Sequence, residues 1–239
     1  MCGGKSSASC IIPRIPVTII NLNNMTAIID YGTGNLRSVE NALKRLGAEY
    51  TVTSDTGIIC SADRVILPGV GEAATAMKAL KGTGLDRIIP ALRQPVLGIC
   101  IGMQLMCSRS EEGDTPCLGI FRADVRHLAS PAVAAGEQIR LKIPEMGWNS
   151  IFRPGGESSC RLLAGIEDGS YVYYVHSYAP DICEDTAAIT EYGRPFSAVL
   201  ARGNFFGTQF HPEKSGGIGQ RILQNFLEMT GTCRQYPEK

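Results

Sequence analysis

Gly98-Ile99-Cys100-Ile101-Gly102 constrains this chain more than any other stretch. The apolar run Pro95-Val96-Leu97 leads into it, and Met103-Gln104-Leu105-Met106 follows as the start of an expected helix. Strand, sharp turn with a reactive residue at its tip, helix: this is a nucleophile elbow, with cysteine where hydrolases usually carry serine. The turn is strained, and glycines on both sides keep side chains from crowding it. A cysteine at a helix N-terminus also has its thiolate favoured by the helix dipole. The plain alternative is a buried structural cysteine; two flanking glycines favour the nucleophile.

The segments around the elbow repeat its pattern. Ala27 to Tyr31 reads as a short buried strand ending at Gly32-Thr33-Gly34-Asn35. Leu36, Val39, Leu43 and Leu46 recur at helical spacing, and Gly47 closes that helix. Tyr50 to Thr53 and Arg64 to Leu67 are further strands, with helices expected from Glu72 to Lys81 and from Leu85 to Leu92. Alternation at these lengths predicts a doubly wound, mostly parallel α/β sheet built through right-handed crossovers. Its site should lie at the carboxyl ends of the strands, where Gly32–Asn35, Pro68–Gly71 and the elbow all fall. The second half adds antiparallel strands: Gly119 to Leu128, Ile139 to Phe152, Tyr171 to Val175, and a meander over Ala187–Tyr192, Ser197–Ala201 and Asn204–Phe210. A helix from Ile218 to Met229 closes the fold.

Residues 1–24 stand apart. Pro13, Arg14 and Pro16 break their apolar run, so it is neither a membrane span nor a secretory core, and we expect a disordered extension. Residues 25–239 form one expected domain. Lys+Arg and Asp+Glu both number 23, without a basic stripe, which argues against nucleic acid or a membrane surface as partner. Nine cysteines without CxxC pairs suit free thiols in a cytoplasmic setting. With three histidines, no metal site is expected.

A nucleophilic thiol needs a base, and the base an orienting group. His211 and His176 both follow expected strands, while His127 reads as a surface residue. His211 has the better context, because Glu213 lies two residues on, past a proline that fixes the turn. Gly32-Thr33-Gly34 lacks both the dinucleotide fingerprint and a phosphate-loop lysine, so it reads as a tight turn. Pro68-Gly69-Val70-Gly71 fits a tight turn or an oxyanion hole about equally well.

A cysteine elbow followed near the C-terminus by His-Pro-Glu resembles the class I (triad) glutamine amidotransferases. Six motifs occur in order: Tyr31–Ser38, Pro68–Gly71, Gly98–Gln104, Met146–Asn149, Val175–Tyr178 and His211–Ser215. Together they are similar to the glutaminase subunits of imidazole glycerol phosphate synthases, enzymes of histidine biosynthesis, over Met25 to Met229. Ile101 departs from the leucine usual there.

The resemblance implies a class I amidotransferase fold and a triad of Cys100, His211 and Glu213, with no cofactor. It implies an oxyanion hole from the Ile101 N–H and from Val70 or Gly71, and glutamine held by Gln104, Glu112, Ser177 and Tyr178. It further implies a heterodimer with a (β/α)8 cyclase subunit, contacted near Trp148, Tyr173 and Lys214. In that pattern the Pro68–Gly71 peptide is misaligned until the partner binds. Other readings are an amidotransferase feeding pyridoxal phosphate or a nucleotide pathway, a cysteine-elbow hydrolase, and a binding subunit that has lost catalysis. The Tyr31–Ser38 and Met146–Asn149 motifs, the His-Pro-Glu order and the filled triad positions speak against these in turn.

Overall fold

In the computed structural model, the described residues are 24–32, 36–69, 71–129, 141–155 and 160–229. The first half alternates as expected: β1 (Thr26–Ile29), α1 (Leu36–Arg45), β2 (Tyr50–Thr53), α2 (Thr56–Ser61), β3 (Arg64–Leu67), α3 (Ala73–Thr83), α4 (Leu85–Ile88), β4 (Val96–Ile99) and α5 (Ile101–Leu105). Then come β5 (Arg109–Ser110), β6 (Thr115–Pro116), β7 (Asp124–His127), β8 (Glu145–Ile151), β9 (Ser170–His176) and β10 (Tyr178–Pro180). The described chain ends through β11 (Thr186–Tyr192), β12 (Arg194–Arg202), β13 (Phe205–Thr208) and α6 (Gly216–Leu227).

The central sheet has seven strands in the order β11-β12-β13-β4-β3-β1-β2. β2, β1, β3, β4 and β13 are parallel, and β12 and β11 continue antiparallel. β1, β3, β4 and β13 are buried at every position, which explains their unbroken apolar runs. β13 is the pivot: it ends the antiparallel meander and lies parallel to β4, with Thr208 opposite Ile99. The segments that carry Cys100 and His211 therefore leave the sheet side by side. A four-stranded sheet, β10-β7-β5-β6, and the β8–β9 hairpin complete the fold.

Two expected strands are shorter than the sequence suggests. Only Asp124–His127 of Gly119–Leu128 is a strand. The residues before it donate to carbonyls at the end of α5, Leu118 to Leu105, Gly119 to Cys107, and Ile120 and Phe121 to Met106. A short helix leaves those carbonyls without partners, and this segment supplies them. β8 begins only at Glu145, after Pro144, which has no N–H for a ladder; the start expected at Ile139 lies outside the described residues. α2 was not legible, because Gly57 and two isoleucines are poor helix formers; the Asp55 side chain caps it by accepting from the Ile58 N–H at 3.0 Å.

Candidate active site

Cys100 lies between β4 and α5 with φ 52° and ψ −111°, a conformation that only strong surroundings impose on a side-chain-bearing residue. Those surroundings are close-packed backbone. A Cβ on Gly102 would lie 1.9 Å from the Leu67 carbonyl oxygen, and one on Gly69 would lie 2.5 Å from the Gly102 nitrogen. The Pro68 loop and the elbow thus touch through glycines. The Cys100 N–H donates to the Thr208 carbonyl at 2.8 Å, fixing the elbow to the end of β13.

His211 follows β13, and its Nδ1 lies 2.8 Å from Oε1 of Glu213, both side chains being 4 % exposed. Burial alone would lower the His211 pKa, but hydrogen bonds and charge from Cys100 and Glu213 outweigh it and push the imidazole up to about 10. Cys100, His211 and Glu213 are therefore brought together in the order thiol, imidazole, carboxylate.

The three line a cavity of about 390 Å³ at the carboxyl ends of β3 and β4. Gln104, Glu112, Ser177 and Tyr178 line it as well, as do Ile101, Gly69 and Gly71. Gln104 is 1 % exposed; its Nε2 donates to the Tyr178 carbonyl at 2.8 Å and to Oε1 of Gln209 at 3.0 Å, and its own Oε1 has no partner. Glu112 accepts the Ala73 N–H at the start of α3 at 2.7 Å. Burial raises its pKa against that bond, and Glu72 adds to the rise. Tyr178 is raised by burial and by Glu112, Glu111 and Glu72, so this mouth of the cavity is acidic and suits an ammonium group. Gly71 has φ 98°; Val70 and Gly32-Thr33-Gly34-Asn35, apart from Gly32, lie outside the described residues.

His127 is not the surface residue expected: half-buried, its ring packs edge-on against Tyr178 with centroids 4.9 Å apart. His176 also faces the cavity but serves another pair. Its Nδ1 is 2.9 Å from the Tyr178 carbonyl and its Nε2 is 3.1 Å from Oε2 of Glu145, with both side chains buried. Gln209 and Glu145 are the residues that sequence reasoning passed over. The only signal was a polar residue inside an apolar strand end, Thr208-Gln209-Phe210, beside the histidine.

Trp148 and Tyr173 face one another on the outer side of the β8–β9 hairpin, edge to face at 5.9 Å. Trp148 is 55 % exposed, with Met146 and Tyr171 exposed beside it. Lys214 is exposed and lines the cavity. The Tyr173 carbonyl accepts the His211 N–H at 2.9 Å, so this hairpin is bonded directly to the histidine's backbone.

Residues 27–229 match the family model described as glutamine amidotransferase class-I. The chain belongs to that family. This amidotransferase is 51% identical over 203 residues to imidazole glycerol phosphate synthase subunit HisH of Bacteroides thetaiotaomicron, covering 85% of this chain and 98% of that protein. It is 45% identical over 203 residues to subunit HisH of Pectobacterium atrosepticum, covering 84% and 98%. These identities put the amidotransferase in the HisH group. Among solved structures, a glutamine amidotransferase from Thermotoga maritima matches with TM-score 0.54 at 18% identity, covering 84% of this chain and 81% of that one. The glutaminase domain of Trypanosoma brucei CTPS matches with TM-score 0.57 at 13% identity, covering 87% and 95%. These two share the amidotransferase's fold. Among the described residues no helix is long and apolar enough to cross a membrane, and no three His, Cys, Asp or Glu side chains form a metal-binding group.

Proposed function

We propose that the chain is the glutaminase subunit of an imidazole glycerol phosphate synthase. Cys100, His211 and Glu213 converging on one cavity carry the chemical part of this reading. The HisH relatives favour the specific synthase over other ammonia-using ones.

His211 takes the Cys100 thiol proton, and the sulfur attacks the side-chain carbonyl of glutamine. The raised pKa of His211 means that it holds this proton until ammonia departs and receives it. Glu213 keeps the ring oriented throughout. The oxyanion is met by the Ile101 N–H, at the residue after the nucleophile, and by an N–H of Val70 or Gly71. Glu112 pairs with the substrate α-ammonium, and Gln104, Ser177 and Tyr178 complete the pocket. Water, giving a proton to neutral His211, then cleaves the thioester and releases glutamate.

Ammonia passes to a (β/α)8 cyclase subunit in the cytoplasm, which forms imidazole glycerol phosphate and AICAR; no cofactor enters. The heterodimer contact includes Trp148, Tyr173 and Lys214. An exposed apolar face on a two-stranded hairpin is what an interface anchor requires. The backbone bond from Tyr173 to His211 gives that contact a short route to the triad. The Pro68–Gly71 peptide completes the oxyanion hole only in the complex, so the isolated chain is nearly idle. Glutamate release, measured alone and with the purified cyclase plus its nucleotide substrate, tests this; a high rate from the isolated chain would overturn the idle state.

A further inference from the structure

Gln209 is fully buried at the end of β13, and its Nε2 lies 3.7 Å from the Cys100 sulfur. Oxygen and nitrogen of a side-chain amide are told apart by their partners, and here the partners decide. The Tyr178 carbonyl can only accept, so the Gln104 atom 2.8 Å from it is the NH2. That same NH2 lies 3.0 Å from Gln209, which must therefore present its oxygen there. The NH2 of Gln209 is left facing the sulfur. His176 Nδ1, 2.9 Å from the same carbonyl, is a donor too, so the whole chain of groups has one consistent orientation. The Gln209 N–H donates to the Ala198 carbonyl at 2.9 Å and holds the residue in place. Besides His211, the sulfur has the Val175 carbonyl at 4.0 Å, an acceptor that suits the thiol.

We propose that Gln209 is a catalytic residue that donates its amide N–H to the Cys100 sulfur and so favours the thiolate over the thiol. The inference rests on Cys100 being the nucleophile. The donor acts twice. It donates to the resting thiolate before attack, and it donates again to the thiolate re-formed when water adds to the thioester and the C–S bond breaks with its electron pair going to sulfur. In that second step the water proton goes to His211, which restores the starting pair. Gln104, which lines the substrate cavity, fixes this donor through its NH2.

The test is alkylation of Cys100 by iodoacetamide across pH, read on the Cys100 peptide by mass spectrometry so that the other thiols do not contribute. Gln209→Met removes the donor with little change in shape; Gln209→Glu keeps the shape and places an acceptor against the sulfur, and serves alone if the first fails to fold. Both should react roughly tenfold to a hundredfold more slowly near neutrality, with the inflection moved to higher pH, as loss of a hydrogen bond to a charged group implies. A purely structural role would leave the inflection in place. Profiles matching the parent's in a folded variant would overturn the proposal. A folded parent whose Cys100 does not react at all would overturn the nucleophile reading, and this inference with it.

Discussion

Nδ1 of His211 and Oε1 of Glu213 lie 2.8 Å apart in a setting where each side chain is only 4 % exposed. Burial opposes charge on the ring, yet Cys100 and Glu213 raise it from 6.5 to about 10. A folded-state pKa above the unfolded one means stability fully present below about 6.5 and lost as pH rises through about 10. The thermal stability of the parent should therefore fall as pH rises over that window, and in Glu213→Gln the pH dependence should flatten. The same substitution should lower kcat for glutamate release by about a hundredfold or more, because the ring loses the negative charge that stabilises its imidazolium, and the amide NH2 can hold it in the wrong tautomer.

Gly102 tests the packing that strains the elbow. A methyl there would meet the Leu67 carbonyl at 1.9 Å, backbone against backbone, with no flexible side chain to give way. Gly102→Ala should cost about 3 kcal/mol or more in denaturant unfolding, or leave the protein unfolded. Gly82→Ala, in α3 with open space around it, should instead be neutral or stabilising by about 1 kcal/mol.

Glu145 sits opposite His176 across the β8–β9 ladder and also accepts from Asn149 Nδ2 at 2.9 Å. Glu145→Leu removes the carboxylate 3.1 Å from the buried His176 Nε2 and leaves Asn149 Nδ2 only the Glu191 carbonyl at 3.0 Å, so it should destabilise by about 3 kcal/mol, read by denaturant titration. Pairing it with His176→Leu should recover part of that loss, since two apolar groups leave less polarity unpaired. Strict additivity in the double-mutant cycle would show that the two do not act as a pair.

Trp148 should separate stability from partnership. At 55 % exposed it contributes little to the isolated fold, so Trp148→Ala should shift unfolding by less than about 1 kcal/mol. Activation by the cyclase should fall sharply, read as glutamate release during titration with that partner.

The sheet, and the meeting of Cys100, His211 and Glu213 at one cavity, were legible because each rests on local pattern. Arg64–Leu67 emerges with the expected bounds because a strand buried on both faces reads as an apolar run, and Tyr50–Thr53, the half-buried edge strand, because its residues alternate and are β-prone. The elbow and His-Pro-Glu carry their geometry in a few adjacent residues. The segment Gly119–Ala123 misled because its apolar residues serve to end α5, a tertiary role with no sequence period. Trp148 could be core or surface on composition; only its register, opposite Tyr173 on the outer face of a two-stranded hairpin, decides. Gln209 and Glu145 were invisible for a similar reason. Their meaning lies in partners, Gln104 and His176, far along the chain.

The most direct test of the account is glutamate release from glutamine by the parent and by Cys100→Ala, each alone and in complex with the cyclase plus its nucleotide substrate. The account predicts strong release by the parent in the complex and none above background from the folded variant. Release that survives Cys100→Ala, or silence from a demonstrated parent complex, would contradict it.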